Sequence, residues 1–210
     1  MKHRYTLLIA MAVAVVCSTA SANIVFTDLG TAAPPASLGG FAMTPFPDDL
    51  RDNGTSVTSV ASPLGGTVDF SLALVLTEVG SGWATWSHGY TGDVYFDVQA
   101  SSVTMTLPAQ TAAFYFYAEP NLFDLFTIEA VADDGTTSGP IDVQGQAGAN
   151  GYGFHGTLGT KIASIAVTVE QGSFGFAVGE FGIAIPTPSA VLLGLLGLGV
   201  VAGMRKCRLA

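Results

Sequence analysis

Ser87, His88, Asp93 and Asp97 supply, within eleven positions, the residue types of a hydrolytic triad, in which a histidine takes the serine proton and a carboxylate orients the ring. The context argues against that chemistry. The chain has no Gly-x-Ser-x-Gly elbow, and neighbours such as Ser87 and His88 on one strand would point to opposite faces. After residue 22 the only other histidine is His155, and there is no His-Glu-x-x-His, so neither a catalytic set nor a zinc site is expected. Asp48, Asp49 and Asp52, and the pair Asp133 and Asp134, offer oxygen ligands of the kind calcium takes. Neither group has the alternating spacing of an EF-hand loop. Asp133-Asp134-Gly135 reads more simply as a hairpin turn.

A second kind of chemistry needs only flat aromatic faces. Trp83 and Trp86 are three apart, so on one strand they would face opposite sides, one filling the core and the other lying outside with Tyr90 or Tyr95. Such a platform suits stacking on a sugar ring. The candidate carbohydrate site is therefore Trp83, Trp86, His88, Tyr90 and Asp93, with calcium as a possible aid to binding. The plainer alternative packs both tryptophans at the core and its rim. Glu119 before Pro120 and Glu180 before Phe181 read as strand-end charges at the solvent boundary.

The elements that must position these residues are strands. Val103, Met105 and Leu107 alternate with Thr104 and Thr106; Phe114 and Phe116 alternate with Tyr115 and Tyr117; Ile165, Val167 and Val169 alternate with Ala166 and Thr168. Phe174, Phe176 and Val178 repeat the pattern, and a period of two marks half-buried strands. Turn signals at Gly80-Ser81-Gly82, Asp133-Asp134-Gly135 and Gly148-Ala149-Asn150-Gly151 separate them. Many short strands with glycine-rich turns predict an all-β, antiparallel, jelly-roll-like sandwich over residues 23–185. Gly30 to Gly54, with Pro34, Pro35, Pro45 and Pro47, predicts an extended surface segment.

The two ends read differently. Lys2 and Arg4, an apolar run from Leu7 to Val16, and the small-x-small ending at Ala20 and Ala22 make a secretory signal peptide over residues 1–22. That apolar run is about half the roughly 20 residues a membrane span needs. Val16 is not the small residue that a lipoprotein signal has before its cysteine. Residues 186–210 hold Pro186-Thr187-Pro188, an apolar stretch from Ala190 to Met204 spaced by glycines, and a basic end of Arg205, Lys206 and Arg208. Proline cannot donate to a ladder, so the sheet should stop near Ile185. As a helix the fifteen apolar residues would span roughly 22 Å against the ~30 Å hydrocarbon core, a short anchor whose basic end stays cytoplasmic.

Between the ends lie all sixteen acidic residues and only two basic ones, Arg51 and Lys161, a formal charge of −14. A surface of that sign repels phosphate backbones and excludes nucleic acid as a partner. Cys17 and Cys207 both fall outside this segment, which excludes disulfides and thiolate chemistry from it.

The order of proline motif, short glycine-rich apolar segment and basic cluster resembles the PEP-CTERM sorting signal, with Thr187 where the glutamate usually stands. The resemblance implies recognition by an exosortase-type enzyme and a membrane hold before processing. It further implies passage to the cell surface or the extracellular space, in bacteria that make extracellular polysaccharide. The stretches Gly82 to Phe96, Phe114 to Pro120 and Phe176 to Ala184 are similar to an uncharacterised group of exported proteins with this kind of tail. The expected function is that of a non-enzymatic surface or extracellular-matrix protein. The alternatives are a carbohydrate-binding module of the polysaccharide matrix and, more weakly, a hydrolase around His88.

Overall fold

The structure, a computed structural model, describes residues 23–186. The expected signal peptide with Ala20 and Ala22, the positions Thr187 and Pro188, the anchor helix and the basic residues Arg205, Lys206 and Arg208 lie outside the described residues.

Among the described residues every regular element is a strand. The chain begins with β1 (Ile24–Gly30), the short β2 (Ser37–Leu38), β3 (Phe41–Ala42) and β4 (Thr44–Pro45), then β5 (Ser56–Ala61) and the long β6 (Thr67–Val79). After the short β7 (Gly82–Trp83) come β8 (Asp93–Asp97), β9 (Ser102–Thr106), β10 (Ala113–Pro120) and β11 (Leu125–Ala132). The last are β12 (Ile141–Gln144), β13 (Asn150–Gly156), β14 (Ser164–Val169) and β15 (Phe176–Ala184).

The hydrogen-bonded order is β1-β13-β10-β15-β8-β6-β9-β14-β11-β12, antiparallel at every step. β6 is where this sheet curls: Val75 to Thr77 pair with β8, while Asp69 and Phe70 pair with β9. Its two ends thus serve two strand groups, which close on one another as a sandwich or half-barrel. One core lies between them, with Phe114, Phe116, Tyr152, Phe154 and Ile183 from one group and Val103, Met105, Ile128, Ile165 and Val167 from the other. Tyr152 Oη donates to the Ile128 carbonyl at 3.3 Å across that core.

A second apolar layer, which the alternation of residues did not announce, covers the outer face of the first group. β10 is buried on both faces, from Ala113 to Pro120. Phe114 and Phe116 point to the main core, while Tyr115 and Tyr117 join Leu38, Val79, Trp83, Trp86 and Val94 outside. The proline-rich stretch, expected as an extended surface segment, instead folds back through the β2–β3 hairpin and serves as a cover: its Leu38, Phe41 and Met43, with Leu29 of β1, pack on the tyrosines' side.

Glycines in the flanking strands make room for those rings. Tyr115 pairs with Gly153 on one side and Gly182 on the other, and Tyr117 with Gly151 and Gly179. A methyl group on Gly182 would sit 2.1 Å from Tyr115 Cζ, and one on Gly151 would sit 2.5 Å from Tyr117 Cζ. The rings lie flat across bare backbone, and no other residue fits beneath them.

Candidate functional site

The outer layer carries the polar groups with chemical potential, and the sheet positions them. Between Tyr115 and Tyr117 the register with β15 shifts, so that Glu180 and Phe181 together oppose one residue of β10. This bulge reverses the parity of β15. Phe176 and Val178 face the main core before it, Phe181 and Ile183 after it, and Glu180 is aimed outward with a left-handed φ of 51°. A left-handed conformation costs a non-glycine residue of the order of 1 kcal/mol, and such costs gather where a side chain must be aimed.

Glu180 receives two partners from the loop after β7. Trp86 Nε1–H donates to Oε2 at 3.0 Å, and His88 Nε2 meets Oε1 at 2.7 Å. The other ring nitrogen of His88, Nδ1, lies 2.9 Å from Ser87 Oγ and 3.2 Å from the Thr31 carbonyl. A carbonyl only accepts, so Nδ1 carries the proton that reaches it. Burial holds the Glu180 carboxyl above its ordinary range, with the His88 contact opposing.

Glu119 repeats the arrangement one strand over. Trp83 Nε1–H donates to Oε2 at 2.7 Å, while Gly148 N–H at 3.1 Å and Thr85 Oγ1 at 3.4 Å donate to Oε1. Glu119 has 0% exposure, and burial raises its carboxyl while the bond from Trp83 opposes. The two glutamates, expected at the solvent boundary, are thus the anchors of the cover. They share the parity of the outward tyrosines, and each accepts an indole N–H that would otherwise be orphaned.

Of the five candidate carbohydrate residues, Trp86, His88, Tyr90 and Asp93 gather around Glu180, and Trp83 stands on Glu119. Trp83 and Trp86 are only 6% and 5% exposed and lie in the same layer, so neither presents a stacking face to solvent. Opposite facing would require one strand through both, and β7 ends at Trp83. Tyr90 and Asp93 are half-buried, joined by a bond of 3.1 Å from Tyr90 Oη to the Asp93 carbonyl. Burial pushes the Tyr90 hydroxyl up, and it pushes that of Tyr115 up to about 12.

Ser87 and His88 do not point apart, because they stand in a turn with His88 at a φ of 41°. The acid beside the imidazole is Glu180, not Asp93 or Asp97. Asp97 instead caps its own loop, accepting from the N–H groups of Gln99 and Ala100 at 2.7 Å each. Ser87 is 1% exposed and sits on the nitrogen that also faces a carbonyl, so the geometry of a base activating an accessible nucleophile is not formed.

An open cleft of about 730 Å³ adjoins Tyr90 and Asp93, with Asp48, Asp52, Glu78 and Asn53 on its walls. Asp49 is held there below the usual carboxylate range by hydrogen bonds from the Arg51 guanidinium, and it also accepts from Tyr95 Oη at 3.0 Å. Asp93 is raised by burial and takes the Asp49 N–H at 2.5 Å. Among the described residues no group of three or more His, Cys, Asp or Glu side chains is placed to hold a metal ion. Asp133 and Asp134 are spent on backbone N–H groups, Asp133 on that of Ala163 at 2.9 Å. Asp134 takes the Ile24 N–H at 2.8 Å and so fixes β1, and the turn closes with the Gly135 N–H on the Ala132 carbonyl at 2.9 Å.

No family model matches the chain, and no curated protein matches it. Among solved structures it is similar to the enzymatically active domain of tailspike protein 4 of bacteriophage CBA120, at 12% identity and a TM-score of 0.28. That match covers 54% of this chain and 18% of the other, so the chain spans under a fifth of the phage protein.

The site that emerges is a cover held by paired indole and carboxylate groups, with an acidic cleft at its edge. Sequence reasoning found the aromatics and missed both glutamates. The available signal was a carboxylate inside each of two apolar runs, Phe114 to Pro120 and Phe176 to Ala184.

Proposed function

We propose that this chain is a non-enzymatic exported protein of the cell surface or extracellular matrix, built on a jelly-roll-like sandwich. It is delivered by residues 1–22 and sorted through the tail from Pro186 by an exosortase-type enzyme, after a stage held in the membrane. The observation that supports the non-enzymatic reading is the use of His88 and Glu180. Both ring nitrogens and both carboxylate oxygens are engaged in fixing the cover on the sheet. Cell fractionation with mass spectrometry of both mature ends tests the reading. The expected product begins at Asn23 and ends near Pro188, outside the cell. Full-length chain in the cytosol overturns it.

A second reading, binding of extracellular polysaccharide at the edge of the cover, draws support from the open cleft beside Tyr90 and Asp93. Asp48, Asp52 and Glu78 make no side-chain hydrogen bond among the described residues and are free to meet sugar hydroxyls, directly or through calcium. A glycan array probed with and without chelator tests it. Binding lost in Tyr90→Ala and Asp93→Asn supports the cleft, and binding unchanged in both removes it.

A further inference from the structure

Four of the large apolar side chains left in solvent, Val98, Leu122, Phe123 and Phe174, stand on three loops at one end of the sheet, and a fifth, Leu125, opens β11 beside them. β8 ends at Asp97, β10 at Pro120, and β15 starts at Phe176; Asp97 and Pro120 both pair with Phe176. The loops are tied together, because Asn121 gives its backbone N–H to the Gly175 carbonyl and its side-chain amide to the Phe174 carbonyl, both at 3.0 Å.

Phe174 is held out at a cost. It is 67% exposed with a φ of 54°, a left-handed conformation that bulky residues rarely adopt. Its neighbours fix it there. Ser173 is buried, and Gly175 lies so close to β8 that a methyl group on it would come within 1.9 Å of the Asp97 carbonyl. Strain and exposed aromatic surface at one residue on a pinned loop return nothing to the domain itself. They do pre-organise a contact for something outside it.

The walls beside Phe174 say what kind of contact. A groove of about 330 Å³ runs from Val98 to Gly175 and includes Gln99, Ser101 and Gln171. Those three side chains make no hydrogen bond among the described residues. An aromatic face flanked by free amides and a hydroxyl matches a pyranose, which has an apolar C–H face and equatorial hydroxyls. The formal charge of −14 between the two ends disfavours polyanions. Asn23 and Pro186 lie at the opposite end of the sheet, where Ala113 pairs with Ala184 and Ile24 with Gly156. The eight residues of β10 separate the two ends by roughly 25 Å.

We propose that the Phe174 groove, with Phe123 on the adjoining loop, is a binding site for an uncharged polysaccharide chain. It shares a ligand class with the polysaccharide reading above but assigns it to a different surface. With the chain held after Pro186, the groove would face away from the membrane.

Affinity electrophoresis of the full chain in detergent, through gels containing hydroxyethyl cellulose, galactomannan, dextran or polygalacturonate, tests the assignment. The expected result is retardation by at least one of the three neutral polymers. Affinity should fall roughly tenfold or more in Phe174→Ala and in Phe123→Ala, and persist in Phe174→Tyr and Tyr90→Ala, with melting temperature unchanged in the three phenylalanine variants. Retardation by no neutral polymer overturns the proposal, as does equal retardation by polygalacturonate. Binding lost in Tyr90→Ala but kept in Phe174→Ala overturns it in favour of the cleft. A wild-type dimer in sedimentation that Phe174→Ala converts to monomer assigns the patch to a second copy, and also overturns it.

Discussion

Trp83 and Glu119 form a buried pair in which the indole N–H meets carboxylate Oε2 at 2.7 Å, and neither side chain is available to solvent. The groups that hydrogen-bond to that carboxylate are donors, Trp83, Thr85 and the Gly148 N–H among them. Glu119→Ala leaves them without an acceptor. An unmet buried donor costs about 1–3 kcal/mol, so the variant should lose that much or more in denaturant unfolding. Glu119→Gln should fall between, because its amide nitrogen turns one donor toward another. Wild-type stability in Glu119→Ala would show that the pair is not what holds the cover.

The two buried glutamates make an unusual pH signature. Burial raises both Glu119 and Glu180 above the ordinary 4.5. A carboxyl raised in the folded state binds its proton more tightly there than in the unfolded chain. Its contribution to stability is therefore greatest at low pH and declines as pH rises from about 4.5 through the folded value. Asp49, lowered by Arg51, works the other way: its contribution is present above the ordinary 3.8 and is lost as pH falls through its folded value. Melting temperature followed against pH should peak between the two ordinary values, 3.8 and 4.5, and fall on either side. Glu119→Gln should flatten the alkaline side, and Arg51→Ala the acid side.

His88 ties the cover to the sheet at its edge. His88→Ala removes a partner from Glu180 and from the Thr31 carbonyl, and no neighbouring group replaces it. The loss is local, so the expected effect is faster opening of the loop between β7 and β8 rather than collapse of the sheet. Limited proteolysis should nick the variant between Ala84 and Gly92 faster than wild type, while Trp86 fluorescence shifts toward the red. Equal cleavage rates would place the hold elsewhere, at Trp86 or Tyr90.

How far the sequence foretold this depends on parity. Val103 and Met105, or Ile165 and Val167, keep a strict period of two and point where that period says. Tyr115 and Tyr117 keep it too, yet their face is buried, because the cover comes from residues 30–47 and 80–92, distant in sequence and irregular in pattern. In β15 the bulge at Glu180 and Phe181 breaks the period, so extending the alternation from Phe176 and Val178 puts Glu180 on the wrong face. Trp83 and Trp86 were legible as special, but their placement was not, since it depends on two carboxylates 36 and 94 positions away. Phe174 looked like the start of a strand. Its φ of 54° places it in the turn before one.

The flat tyrosines give the sharpest steric test. Gly182→Ala brings a methyl group to 2.1 Å from Tyr115 Cζ, and the ring cannot retreat because it is held in the second layer with Trp86 and Tyr117. Overpacking of this kind costs typically about 1–3 kcal/mol, occasionally more. The φ of Gly182 is not left-handed, so alanine there adds no backbone strain and the loss measures the collision alone. The collision term depends on the ring, so Tyr115→Ala should offset part of it, and the double variant should lose less than the two single variants together. Strict additivity in urea unfolding would mean that the ring does not rest on Gly182, and the account of the outer layer would have to be rebuilt from Tyr117 and Gly151.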